Sequence, residues 1–301
     1  MKILESFNGM RIDSVIPMIN PKISRSLAQN LIKEGKILLN GKSVKVSSKV
    51  NTGDEIFIPE DTEKEVDETL IAEEIPIDII YEDEDIVVVN KPKDMVVHPA
   101  VGNKSGTLVN AMLGHSELSD INGEFRPGIV HRLDKNTTGA LVIAKTNFAH
   151  NNIAKQIQDR TTKKIYIALV RGIIKEENGV IKLPIGRHPV DRKKMAVVKD
   201  GRDAHTNFKV LKRFEEGYTL IEIELKTGRT HQIRVHMSHI GFPVVGDDVY
   251  SNGKNPFGVT SQMLHAKTLG FIHPTKNEYM EFEAPIPKEF EEVINNLHER
   301  V

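Results

Sequence analysis

The spacing of apolar positions divides the chain into segments of different kinds. Ile12, Val15, Ile16 and Ile19 recur at helical spacing and Pro21 closes the segment, because proline has no amide hydrogen to continue a helix. Ser24 is placed to cap a second helix, Arg25 to Glu34, which Gly35 stops. Ile37-Leu38-Leu39 and Lys42 to Val46 flank Asn40-Gly41, the strongest short signal for a two-residue hairpin turn. After Gly53-Asp54, Glu55 to Ile58 reads as a last strand. Residues 10–58 are therefore expected to form a compact module of two helices followed by short strands.

An acidic stretch without periodicity follows and reads as a linker. Beyond it, Ile75 to Tyr81, Ile86 to Asn90, Leu141 to Ala144, Ile165 to Val170 and Thr219 to Leu225 read as strands, and Thr107 to Leu113 and Phe148 to Gln158 as helices. In the last strand Thr219, Ile221, Ile223 and Leu225 alternate with Leu220, Glu222 and Glu224, as in a half-buried sheet. Strands and helices mix without regular βαβ repetition and no internal repeat is present. That pattern predicts an α+β fold whose sheet is mixed but largely antiparallel, flanked by helices and loops. The expected organisation is a small N-terminal module at 1–60, an acidic linker at 61–74 and a large domain at 75–301.

Composition narrows the function classes. A chain of 301 residues suits one large domain and a small one, each with its own core. It has no cysteine, which excludes disulfides, thiolate zinc sites and a cysteine nucleophile. Neither a signal segment nor a membrane-length apolar run stands out, so a soluble, cytoplasmic protein is expected. The net charge of −1 conceals segregation. Residues 60–85 carry thirteen acids against Lys64, whereas residues 86–301 carry 31 Lys and Arg against 24 acids. The densest basic stretch, Arg187 to Arg213, has nine bases and three acids, the electrostatic footprint of a polyanionic partner.

Two segments concentrate chemistry. His131 to Gly139 sets Asp134 between Arg132 and Lys135, ahead of a Thr137-Thr138-Gly139 turn and an apolar strand. A carboxylate so flanked is expected to be ionised, although an Asx turn closing a loop accounts for the same residues. Thr227 to Met237 reads as a helix start, with Thr230 as cap, Ile233, Met237 and Ile240 as apolar stripe and Gly241 as stop. His231, Arg234 and Ser238 share another face, where Arg234 is placed to meet an anion or simply to decorate a basic surface. Lys91 to Pro99 is a basic loop between prolines whose Lys91 and His98 are candidates to line an RNA cleft. Tyr166 lies on the strand face opposite Ile165, Ile167 and Leu169, as core or as a stacking platform for a base. His236 and His239 are three apart but lack a third ligand at motif spacing, so no metal is expected. Gly102-Asn103-Lys104-Ser105 lacks the glycines of a phosphate loop, and no nucleophile elbow is present.

In order along the chain, KPKDMVVHP, HRLDKNTTGALVIAKT, KKIYIALVRG, KTGRTHQIRVHMSHIGFPVVGD and LHAKTLGFIHP resemble the motifs of the RluA/RluD family of RNA pseudouridine synthases, over roughly Ile75 to Pro287. The module at 10–58 resembles the S-four-type RNA-binding domain that the RluD branch carries. Asp94 stands where that family usually has glycine, and Asn136 and Thr138 where Asp and Ser are common. The resemblance implies a pseudouridine synthase fold and isomerisation of specific uridines in RNA, large-subunit (23S) ribosomal RNA foremost. It implies no cofactor, because redox is absent and every atom is kept. It further implies RNA or a pre-ribosomal particle as partner, no membrane, and a monomer. Asp134 would be the catalytic aspartate, Arg234 (or, second, Arg229) its partner, and Tyr166 the tyrosine packing on the target uracil. Arg132 would take the place of the extruded base, with His131, Arg229, His231, Lys91 and His98 completing the substrate-contacting set. A non-catalytic ribosome-assembly factor and a synthase acting on transfer RNA are the alternatives.

Overall fold

The computed structural model describes residues 1–20, 23, 25–59, 70–99, 103, 105–121, 126–191, 194–251 and 257–300. Pro21, Ser24, residues 60–69 of the acidic stretch, Gly102 and Lys104, on which some expectations rest, lie outside the described residues. The chain divides into two compact units, Met1–Glu68 and Thr69–Val301.

The first unit holds α1 (Ile12–Ile19), α2 (Arg25–Lys33) and an antiparallel sheet of β1 (Leu38–Leu39), β2 (Lys42–Ser43) and β3 (Ile56–Phe57), in the order β2-β1-β3. Asn40 and Gly41 both have positive φ, 51° and 73°, which is what a tight two-residue hairpin demands. Ile12, Val15, Ile16, Ile32, Ile37 and Ile56 form its buried core. Asp13 is buried with them and accepts hydrogen bonds from Arg11 Nε and Nη2 (2.8 and 3.1 Å), Arg25 Nε (3.1 Å) and Gln29 Nε2 (2.7 Å). The Arg11 guanidinium, with Gln29 and Arg25 assisting, holds this carboxyl down to about 2 against the opposing effect of burial. One carboxylate thus holds two partly exposed guanidinium heads.

The second unit contains β4 (Asp78–Glu82), β5 (Ile86–Lys91), α3 (Leu108–His115), β6 (Thr138–Ala144), α4 (Asn147–Gln158), β7 (Lys163–Arg171) and β8 (Asn178–Lys182). It continues with β9 (Ile185–Arg187), β10 (Met195–Val197), β11 (His205–Phe214), β12 (Tyr218–Leu225), α5 (Gln232–His239), β13 (Leu264–Ile272), β14 (Tyr279–Glu283) and α6 (Lys288–Asn295). Nine strands form one sheet in the order β4-β5-β6-β13-β7-β12-β11-β8, with β14 on β13, while β9 and β10 pair separately. Its pairings are antiparallel except for β6 with β13, giving the mixed, largely antiparallel α+β architecture. Gly139 sits at that parallel crossing with φ 118°, where a Cβ would collide with the Ala266 carbonyl. The expected strand at Ile75 to Tyr81 instead begins at Asp78; Ile75 and Ile77 pack on the core ahead of it.

Alternation along the strands gives the sheet two apolar faces. Val87, Val89, Leu141, Ile143, Tyr166, Ala168, Ile221 and Ile223 pack with α3 and with Ile233 and Met237 of α5. On the opposite face Ile86, Val88, Ala140 and Val142 meet Ala149 and Ile153 of α4, and Ile167 and Leu169 cluster with Phe290 of α6. The side with α5 is the one on which the loop before β6 and the start of α5 come together.

Candidate active site

The loop carrying Asp134 is held from below by groups that the sequence suggested would touch substrate. Lys91 ends β5 and is completely buried. Its Nζ donates to the carbonyls of Pro92, Met95 and Lys135 at 2.7, 2.8 and 2.9 Å. Burial pulls this amine down to about 7, while Asp134 and Asp94 act in the other direction. Three carbonyl acceptors require three N–H donors, which only the ammonium form supplies. The last of these acceptors belongs to the residue after Asp134, so Lys91 supports the loop and does not line a cleft.

His131 turns inward as well. Its Nε2 accepts the Val142 amide at 3.0 Å, on a strand whose ladder with β13 covers only Thr138 and Gly139. The ring fills the lapse in strand pairing, and burial, aided by the Lys164 charge, lowers it to about 3, the neutral form that accepting demands. Further along the loop, Thr137 receives Gln262 Nε2 at 3.2 Å and Thr138 Oγ1 meets His265 Nδ1 at 2.8 Å.

The cation that meets Asp134 is neither sequence neighbour. Lys135 lies 3.4 Å from Asp94, and Arg132 is exposed. Arg234 Nη1 donates to Asp134 Oδ2 at 3.2 Å. The guanidinium is 5 % exposed, and its other edge is bidentate to Asp247, Nε to Oδ2 at 2.7 Å and Nη2 to Oδ1 at 3.0 Å. Asp247 also accepts the Val249 and Tyr250 amides at 2.9 Å each. These two carboxylates raise the Arg234 guanidinium above its ordinary range despite burial. Asp247 was missed from sequence although it ends the string VVGD; nothing local to it names a partner thirteen residues earlier.

Thr230 does not cap α5. His231 occupies the cap with a left-handed backbone (φ 56°) and no side-chain capping bond. The acceptor comes from inside the helix: Gln232 Oε1 takes the Arg229 amide at 3.0 Å and the Thr227 hydroxyl at 2.8 Å. His231, Arg234 and Ser238 do share a face, as expected, but Tyr250 covers it. The Tyr250 ring lies 5.1 Å from the Arg234 guanidinium, its carbonyl accepts from Ser238 Oγ, and its hydroxyl is 2.9 Å from His231 Nδ1. The same hydroxyl oxygen accepts the Met195 amide at 2.9 Å. Burial lowers His231 from its ordinary range. His236 is tied to Thr206 and the Leu183 carbonyl, a structural use of that ring.

Above Asp134 lies an open cleft. Arg132, Asp134, Tyr166, Arg229, His231 and Arg234 line it together with the apolar Leu133, Leu225, Ile233 and Leu264. Among the described residues Asp134 is the only carboxylate in that lining. Burial and the Asp134 charge both disfavour the Tyr166 phenolate, so the ring presents a neutral phenol. Arg229 reaches back to the Asp203 carbonyl through Nε at 2.9 Å. Lys91, His98 and His131, expected among the contacts, are not in the lining. His98 is buried and neutral, lowered to about 4 by burial and by Arg126 and Arg132. Among the described residues no three His, Asp or Glu converge as a metal cluster.

Comparison with known proteins matches this geometry to named relatives. Residues 85–239 match the family model described as RNA pseudouridylate synthase, and residues 10–56 that of the S4 domain. The chain is 46% identical to the uncharacterized RNA pseudouridine synthase YlyB of Bacillus subtilis (strain 168), covering 97% of this chain and 96% of that protein. It is 42% identical to the ribosomal large subunit pseudouridine synthase D of Pseudomonas aeruginosa, covering 94% and 90%. Among solved structures, human RNA pseudouridylate synthase domain containing 1 superposes with a TM-score of 0.60 at 29% identity, covering 75% of this chain and 89% of the human one.

Proposed function

The chain belongs to the RNA pseudouridylate synthase family, and from that premise we propose that it isomerises uridines of large-subunit ribosomal RNA during ribosome biogenesis, with Asp134 as the catalytic carboxylate. The reaction breaks the bond between ribose carbon 1′ and uracil N1, turns the base, and joins carbon 1′ to C5. The C5 proton leaves and N1 gains one, so atoms and electrons balance without an oxidant. One carboxylate at the sugar suffices, as base or as nucleophile. The observation that carries the reading is the single carboxylate that the described residues place in the cleft, fixed by Arg234 at 3.2 Å.

The other walls fit a base. Tyr166 offers a neutral ring for stacking, worth about 1–3 kcal/mol per base, which offsets part of the few kcal/mol needed to extrude the nucleotide. Arg132, exposed beside Asp134, is positioned to enter the space the base vacates. In the N-terminal unit the Arg11 and Arg25 heads, anchored on Asp13, offer donors to backbone phosphate. The ribosomal substrate is supported by the name of the Pseudomonas aeruginosa relative. No helix among the described residues is long and apolar enough to cross a membrane.

The test is to map pseudouridines in ribosomal and transfer RNA from cells lacking the protein, then complement with wild type or Asp134→Asn. Large-subunit sites should disappear and return only with wild type. Their return with Asp134→Asn would leave the protein a binding factor, and loss confined to transfer RNA would move the substrate there.

A further inference from the structure

β7 opens with two lysines of opposite character. Lys163 points outward and pairs with Glu281 at 2.8 Å. Lys164 is only 9 % exposed, and its side chain has no hydrogen bond or ion pair among the described residues. Burial alone moves its ammonium downward, with no carboxylate acting against it. Lys91 and Arg234, buried cations as well, are compensated, Lys91 by three carbonyls and Arg234 by two carboxylates. An ammonium held largely out of water with no counter-charge beside it is available to an incoming anion.

That place adjoins the cleft. Strand alternation puts Lys164 on the face of Tyr166, which lines the cleft two residues on. Ile165 pairs with Glu224 of β12, so Lys164 comes level with Leu225, another lining residue. Its charge reaches the ring of His131, the neighbour of Arg132. Lys164 is therefore bracketed by Tyr166, Leu225 and the His131–Arg132 segment. An anion arriving with a base stacked on Tyr166 would be a backbone phosphate.

We propose that Lys164 is a substrate-binding residue whose ammonium pairs with an RNA backbone phosphate flanking the nucleotide held in the cleft. This rests on the reading that the cleft receives RNA, and the experiment separates the two. Lys164→Met keeps the stem and removes the charge. In an Asp134→Asn background, which binds without turnover, affinity for unmodified large-subunit ribosomal RNA transcribed in vitro is measured over a series of salt concentrations. Lys164→Met should weaken binding about three- to tenfold at low salt and make the slope of log K against log salt shallower by about 0.7–0.9, one phosphate contact. In the otherwise wild-type chain KM should rise while kcat changes less than about twofold. Thermal stability should hold, because the side chain makes no hydrogen bond or ion pair that Met would lose. An unchanged slope and affinity would overturn the assignment, as would a lower Tm with the slope intact, the mark of a structural lysine. Pseudouridine formation by Asp134→Asn alone would instead sink the catalytic reading and leave the slope comparison standing.

Discussion

Asp247→Asn isolates the device that aims Arg234. The carboxylate is 1 % exposed and uses both oxygens: Oδ1 accepts Arg234 Nη2 and the Val249 and Tyr250 amides, and Oδ2 accepts Arg234 Nε. An asparagine that keeps its oxygen at the Oδ1 position preserves three of these bonds. Its amide N–H2 then faces the Arg234 Nε–H across 2.7 Å, donor against donor. The guanidinium loses its bidentate partner and must shift or tilt, carrying Nη1 away from Asp134. Breaking one side of a buried ion pair costs about 3–5 kcal/mol; with both backbone bonds retained, about 3 kcal/mol is expected here. For a unit of this size that corresponds to a fall of about 6–12 °C in Tm. Activity should fall mainly in kcat, by at least about a hundredfold, because the carboxylate loses its orientation and not its cleft. Asp248→Asn is the internal control: its carboxylate is 79% exposed and 3.8 Å from Nη2, so its change should stay within about 0.5 kcal/mol. Urea and thermal unfolding followed by circular dichroism, with steady-state kinetics on both variants, provide the measurement. A Tm within 2 °C of wild type together with a kcat within about threefold would refute the clamp.

Lys91→Met should destabilise by about 3 kcal/mol, since three carbonyls lose their donor, and should lower kcat more than it raises KM; near-wild-type unfolding in urea would refute the support role. For His131 the sign follows from its depressed value: the unfolded ring takes up a proton near about 6.5, the folded ring only near 3. Its contribution to stability is therefore lost progressively as pH falls from about 6.5. His131→Gln, which retains an acceptor for Val142, should make stability depend less on pH between about 4 and 6.5, and parallel pH profiles for the two proteins would contradict this. Arg25→Gln leaves Asp13 its Arg11 and Gln29 partners. It should make the salt slope of RNA binding shallower by about 0.7–0.9 with under about 1 kcal/mol lost in stability. A filter-binding salt series that superposes on wild type would remove Arg25 from the RNA contacts.

How much could be read in advance followed the sequence range of each interaction. The helix at Ile12 to Ile19, the Asn40-Gly41 hairpin and the alternating strand β12 depend on residues a few positions apart, and their patterns foretell them. The parallel pairing of Thr138 and Gly139 with His265 and Ala266 joins residues far apart in the chain, and nothing in either segment announces the other. The charge balance at Asp134 shows the same division. Charge pattern alone pointed to its flanking Arg132 and Lys135; the family resemblance named Arg234, and it is that guanidinium, one hundred residues on, that reaches it, set by an aspartate outside the segment that suggested it. The start of α5 failed differently. Thr230 has the right chemistry for a cap, but the Gln232 side chain reaches back and satisfies the Arg229 amide first.

Residue type also misdirected where polar groups do internal work. Lys91 and His131 are the side chains a basic cleft would use, and a sequence shows their donors and acceptors without showing what meets them. Three carbonyls around Lys91 and a strand amide at His131 consume those capacities inside the fold. The consequence bears on function. The loop of Asp134 is short and has no regular structure, and its handles come from separate elements: Lys91 from the end of β5, Gln262 and His265 from β13 and the segment before it, Arg234 from α5. No one of these elements can hold the carboxylate in place alone. The site is therefore assembled only when the sheet has closed between β6 and β13 and α5 has packed on it. Substitutions that loosen this packing should reduce kcat before they unfold the protein, even when they lie outside the cleft.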